Sequence, residues 1–123
     1  MDVITIGETM AAFVPRQRGL LRYNNTYDIR IAGAESNLAI GLSKLGHDAG
    51  WFSSVGNDEF GHFIINQIRS EGVDTSRVMI DSQHHTGIMF KEIHPGKDTS
   101  VYYYRSDSAA SYISAEQLPW DYI

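Results

Sequence analysis

The sequence predicts an α/β fold in which a parallel sheet is covered by helices and a second, smaller β-sheet lies beside it. Three observations carry this. Short β-branched runs alternate with two stretches of helical apolar spacing between residues 3 and 80. Two extended excursions, near residues 10–32 and 86–105, interrupt that rhythm. The second of them reads as a hairpin inserted into the α/β pattern.

Val3-Ile4-Thr5-Ile6, closed by Gly7, suits a buried strand of a parallel sheet. Met10 to Val14 follows, then a polar stretch with Pro15 and Gly19, and Tyr27 to Ile31 alternates as a half-exposed strand does. From Ala34 to Leu45 the apolar residues Leu38, Leu42 and Leu45 fall at helical spacing, and Gly46 follows as the expected C-terminal stop. Ala49 to Val55 is the next strand. Asp58 is a candidate N-cap for a helix whose apolar side carries Phe60, Phe63, Ile64 and Ile68 and which ends at Gly72. Val78-Met79-Ile80 reads as a short strand. Gly87–Ile93 and Ser100–Arg105 form the hairpin about His94-Pro95-Gly96-Lys97-Asp98. Ser114-Ala115-Glu116-Gln117 has the form of a capping box opening a short helix.

Composition narrows the function. With 123 residues, 42% hydrophobic and 20% charged, the chain has material for one globular domain with a core. The net charge of −5 and the lack of a basic cluster longer than Arg16-Gln17-Arg18 argue against nucleic acid and anionic membrane as partners. There is no cysteine, hence no disulfide framework and no thiolate ligand or nucleophile. Met1 to Gly7 has neither the basic lead nor the apolar length of a signal peptide, and no stretch approaches the about 18 apolar residues of a membrane span. A cytoplasmic location is expected.

Ala32-Gly33-Ala34-Glu35-Ser36-Asn37 is the most specific local pattern. Glycine admits close approach of a ligand, the helix N-terminus offers free N–H groups, and the Asn37 amide can both donate to and accept from a sugar hydroxyl. The same residues also suit a tight strand-to-helix turn in which Asn37 serves only the backbone. Gly56-Asn57-Asp58-Glu59-Phe60-Gly61 resembles a phosphate loop in outline, but His62 stands where lysine is needed, so a turn with an N-cap is expected. In Tyr102-Tyr103-Tyr104-Arg105, the arginine could clamp a carboxylate while a phenol meets a hydroxyl, or it could pair with Asp107 or Glu92. Glu8, just past the first strand, sits where α/β folds place ligand-contacting residues, and also where a solvated carboxylate is unremarkable. His84 and His85 point apart in an extended chain, and no carboxylate companion supports a metal site. No G-x-S-x-G elbow is present.

Taken in order, Ile4-Thr5-Ile6-Gly7-Glu8, Ala32 to Ala39, Leu45-Gly46, Val55 to Gly61 and Glu71-Gly72-Val73-Asp74 resemble the ribokinase-like, phosphofructokinase B-type sugar kinases over essentially all 123 residues. Gly7-Glu8, Gly33-Ala34-Glu35 and the Tyr-Tyr-Arg strand look most like 2-keto-3-deoxygluconate kinases. The resemblance implies an incomplete three-layer α/β core with a small β-sheet lid, built from segments near 10–32 and 86–105. It implies transfer of the γ-phosphoryl group of ATP, with Mg²⁺, to a sugar or sugar-acid hydroxyl. By position, Gly33, Ala34 and Asn37 would hold hydroxyls, Glu8 would contact the substrate, and Tyr103 with Arg105 would grip its acid end. A homodimer through the lid is also implied.

Family members are far longer than this chain. Their late Gly-Ala-Gly-Asp segment, with the catalytic aspartate, the anion hole and most nucleotide contacts, is not among these residues. Residues 1–123 are therefore expected to be the N-terminal part of such a kinase, inactive alone, with no catalytic residue and no bound cofactor or metal of their own. Met89 stands where the ketodeoxygluconate kinases tend to carry tyrosine. That departure keeps open a neutral sugar such as fructose, or a nucleoside, as substrate. A short non-catalytic protein that binds or dimerises is the reading from a different class.

Overall fold

The computed structural model describes residues Met1–Ile123. In chain order, the elements of the first half are β1 (Val3–Ile6), β2 (Met10–Pro15), β3 (Tyr27–Ala32), α1 (Ala34–Lys44), β4 (Ala49–Phe52) and β5 (Ser54–Gly56). They are followed by α2 (Glu59–Ser70), β6 (Met79–Asp81), β7 (Ile88–Glu92) and β8 (Ser100–Tyr104). Three short 3₁₀ turns lie at Leu21–Tyr23, Ala109–Tyr112 and Ala115–Gln117. The last is opened by the Ser114/Gln117 capping box.

The core strands are parallel: β1 pairs with β4, and β5 with β6. The single strand expected over Ala49–Val55 is divided at Ser53. Its pairing changes there: Phe52 O accepts from Gly7 N–H at 3.3 Å on the β1 side, while Ser53 O accepts from Met79 N–H at 3.0 Å on the β6 side. The last short strand begins at Met79 rather than Val78, whose N–H is turned back to Thr75 O.

Ala49, Trp51 and Val55 share one face of this sheet by alternation and meet Ala39 of α1 with Ile64 and Ile68 of α2 in one apolar cluster. Both helices therefore lie on that face, and residues 1–123 form two of the three expected layers. The turn Ala109–Tyr112 packs on β5.

Helix α2 is as the periodicity predicts, with Ile64 and Ile68 fully buried and Phe60 and Phe63 packed beside them. Helix α1 is not. Leu38 and Leu45 are 56% and 77% exposed, only Leu42 of the three leucines packs on the core, and the buried line runs through Ser36 and Ala39. Small side chains let α1 approach β1 and β4 closely, and Ser36 is held there by a hydrogen bond from Thr9 Oγ1 at 2.7 Å.

Asp58 caps α2 by accepting from Gly61 N–H at 2.8 Å, and also accepts from Thr86 N–H and Thr86 Oγ1 at 3.0 and 2.7 Å. Burial pushes this carboxyl up, but the Thr86 and Gly61 hydrogen bonds outweigh it and hold it below the ordinary carboxylate value. The stabilisation is therefore fully present above the unfolded value of about 4 and is lost as pH falls through the lower folded value. Asp58→Ala should cost about 1–2 kcal/mol at neutral pH. In urea unfolding from pH 7 to pH 2, the gap between wild type and variant should close in acid. A gap independent of pH would contradict the assignment.

The two extended excursions join in one four-stranded sheet of order β3-β2-β7-β8. β2 pairs antiparallel with β3 and parallel with β7, and β7 and β8 form the expected hairpin. On one face Phe13 stacks on Phe90 at 4.7 Å and meets Phe60 of α2 edge-on at 5.6 Å, which ties this sheet to the core. The other face places Arg30, Ala12, Met89 and Tyr103 in one cross-strand row. Met10, Ala12 and Met89 form its buried apolar floor.

Candidate functional site

The predicted site residues gather where the two sheets meet, beyond the C-terminal end of β1. Gly33 lies against the loop between β1 and β2: a Cβ there would stand 2.5 Å from Thr9 Oγ1 and 2.9 Å from Glu8 O. Its φ of −175° is ordinary extended backbone, so close packing and not conformational freedom demands glycine. No side chain caps α1, and Ala34 and Asn37 in its first turn are exposed. Asn37 N–H closes that turn on Gly33 O at 3.0 Å. This leaves an exposed helix N-terminus beside a glycine, with an amide one turn along.

Glu8 and Arg105 are brought together. Arg105 Nε lies 3.4 Å from Glu8 Oε1, and its guanidinium sits 5.5 Å from the centre of the Tyr103 ring. Neither sequence alternative for an internal partner of Arg105 is found. Asp107 accepts from Tyr112 Oη, while Glu92 is held by Leu21 N–H, Tyr102 Oη and His94. Residues near in sequence lost to one delivered by the β1–β2 loop. The Arg105 side chain remains 53% exposed.

Two residues of this neighbourhood were not singled out from the sequence. Ser108, fully buried, donates to Glu8 Oε2 at 2.6 Å. A Cβ at Gly87 would come within 2.6 Å of the same oxygen. A glycine at the start of a strand is itself a signal of close approach. Ser108 carried none.

His85 joins the segment leading into β7 to the one leaving β8. Its Nδ1 and Nε2 face Thr86 O at 2.8 Å and Ser106 O at 3.0 Å, and both contacts are made only if both nitrogens carry protons. Those two carbonyls, then Asp58 and Asp107, raise its pKa. His84 instead pairs with Asp81 at 2.7 Å and stacks on Tyr112.

The Gly56–Gly61 turn does not fit nucleotide phosphates. Its helix N-terminus is already taken by the Asp58 carboxylate, and Gly56 N–H is donated to Thr86 Oγ1 at 2.8 Å. None of the three surface cavities is lined by Gly33, Ala34, Asn37, Tyr103 or Arg105. The candidate residues thus lie outside those cavities, with Ala34, Asn37, Tyr103 and Arg105 exposed.

A helix-backed parallel sheet, with a small β-sheet folded over the ends of its strands, defines a ribokinase-like α/β fold with a lid. The comparisons agree. The pattern of the pfkB family of carbohydrate kinases matches residues 1–123. The chain is 43% identical over 123 residues to the 2-dehydro-3-deoxygluconokinase of Bacillus subtilis, covering 99% of this chain and 38% of that protein. It is 33% identical to the 5-dehydro-2-deoxygluconokinase of Clostridium tetani, covering 100% of this chain and 37% of the relative. Among solved structures, a PfkB protein from Polaromonas superposes with a TM-score of 0.93 at 37% identity, covering 98% of this chain and 41% of that one. A sugar kinase from Pyrococcus horikoshii in complex with ATP gives 0.88 at 32% identity, covering 97% and 39%. The chain belongs to the pfkB family of carbohydrate kinases.

Proposed function

We propose that residues 1–123 supply the sugar-acid grip of a kinase that transfers the γ-phosphoryl group of ATP to a hydroxyl of 2-keto-3-deoxygluconate. The observation that carries this reading is Arg105. It stands just after the lid strand β8, half-exposed beside Glu8 and over Tyr103, with Gly87 close to its Cβ. A planar guanidinium in that position suits a carboxylate, and the two relatives named above are named for acids of the deoxygluconate type.

In this reading Gly33, Ala34 and Asn37 present backbone N–H groups and an amide to the hydroxyls, and Arg105 with Tyr103 orients the acid end. Positioning is the principal task of a phosphoryl-transfer enzyme. ATP is supported by its presence in the Pyrococcus neighbour. No three His, Asp or Glu side chains of this chain gather to hold a metal, so Mg²⁺ would come with the nucleotide and be held outside these residues. The relatives are much longer than the matched region, and we assign the nucleotide contacts and the catalytic base to the part of the protein corresponding to that extra length. No helix is long and apolar enough to cross a membrane. Dependence on ATP accords with a cytoplasmic enzyme. Pairing of two chains through the lid is supported by the free edges of β3 and β8.

The test is steady-state phosphorylation by the complete gene product with ATP and Mg²⁺. 2-Keto-3-deoxygluconate should be used with kcat/KM at least about tenfold above fructose or adenosine, a difference of about 1.4 kcal/mol in transition-state binding. Equal use of fructose would overturn the acid assignment.

A further inference from the structure

The Glu8 carboxylate sits in a fitted slot. Ser108 donates to Oε2 at 2.6 Å, and Ser108 itself is fully buried. Its backbone O accepts from Ser111 Oγ at 2.6 Å, and the next residue is tied by Ala109 N–H to His85 O at 2.7 Å. Gly87 also lies against this oxygen and offers only hydrogen atoms, because a Cβ would lie 2.6 Å from Oε2. The remaining oxygen, Oε1, faces Arg105 Nε at 3.4 Å. Glu8 is only 18% exposed, against 53% for Arg105.

This arrangement divides the donors of the guanidinium. The Nε atom stands 3.4 Å from Glu8 Oε1 in an ion pair, one face lies toward Tyr103, and neither Nη atom makes a hydrogen bond within the chain. A forked end held in this way offers two parallel N–H groups to an incoming carboxylate.

We propose that Glu8 is a positioning residue for Arg105 and that Ser108 and Gly87 hold Glu8 in place. Glu8 was expected from the sequence to contact the substrate directly; the proposal gives it an indirect role. It rests on the acid-grip reading. Selection of an acid ligand then depends on the orientation of Arg105 as well as its charge. With Glu8 already beside the guanidinium, an orphaned positive charge is not what draws the ligand. A planar two-oxygen acceptor matched to the free end is.

The experiment is calorimetric titration of the complete gene product with 2-keto-3-deoxygluconate and with fructose, comparing wild type, Ser108→Ala, Gly87→Ala and Arg105→Ala. Ser108→Ala removes one hydroxyl and should weaken keto-acid binding about five- to tenfold while leaving fructose within about twofold. Gly87→Ala crowds the same carboxylate oxygen, with Met10 Cγ and Arg105 Cβ at 3.1 and 3.3 Å from the new Cβ, and should give the same ligand-selective loss. Glu8→Gln, added to the series, keeps an acceptor facing Arg105 and a partner for Ser108 and should retain most of the acid preference. A merely structural role would lower the thermal midpoint and weaken both ligands together, and that outcome overturns the proposal. If Arg105→Ala abolishes the acid preference while Ser108→Ala and Gly87→Ala leave it intact, the positioning role fails and the acid grip stands. If Arg105→Ala leaves the preference intact, the acid grip itself fails.

Discussion

Arg105→Ala should weaken binding of 2-keto-3-deoxygluconate by about 30- to 150-fold, the equivalent of about 2–3 kcal/mol for losing a charge-assisted forked contact. Fructose, which has no carboxylate, should bind the variant as it binds the wild type. The fold should hardly notice the change. The Arg105 side chain is half in solvent, its contact with Glu8 is at 3.4 Å, and an exposed pair of this kind contributes little to stability. Arg105→Lys should restore only part of the affinity, since an ammonium supplies charge without the planar fork. Titration calorimetry with both sugars, beside a thermal scan of each variant, separates the cases. Equal loss for both sugars would mean that Arg105 shapes the lid and does not grip an acid.

The largest effect on stability is expected at Trp51. It is 1% exposed and belongs to the core cluster that includes Ala39 of α1 and Ile64 of α2. Its indole N–H donates to Gly7 O at 3.1 Å, and Gly7 begins the loop that carries Glu8 and Thr9. Trp51→Ala should cost about 3–5 kcal/mol, from lost burial and the cavity left behind. A domain of this size is held by about 5–15 kcal/mol in all, so much of the margin would go. Trp51→Phe keeps an aromatic ring but removes the donor and part of the indole volume, and should cost less, about 1–3 kcal/mol. Denaturant unfolding of both variants tests the placement. A loss below about 1 kcal/mol for Trp51→Ala would show that the core is centred elsewhere.

Much of the fold was legible because local rules and tertiary packing agree over most of the chain. The apolar repeat Phe60, Ile64, Ile68 gave α2 its inward face, and Asp58 its start. The Gly87–Arg105 hairpin formed as its turn residues predict. Helix α1 misled, since the strongest hydrophobes of its sequence are not the side chains it buries. Close approach to β1 selects Ser36 and Ala39 by size, and size-driven packing leaves no apolar period to read. The division of the central strand at Ser53 was equally hidden, because a change of neighbour is a property of the sheet and not of the segment.

The site divides in the same way. Gly33, Ala34, Asn37, Tyr103 and Arg105 were singled out from local pattern and family resemblance; Gly33 lies against the β1–β2 loop and Tyr103 beside Arg105. The partner of Glu8 was not found. Ser108 is 100 residues away in sequence, and a serine between Asp107 and Ala109 looks like any loop serine. Only the fold brings the two together.

The chain crosses between the core and the small sheet four times: after β1, after β3, after β6 and after β8. Two bodies joined by four struts behave as a linkage and not as a flap on a single pin. Rotating one strut requires the other three to follow, so twisting and sideways slip are resisted. The place of Arg105 is thereby set by the whole set of crossings, with no one residue responsible for it.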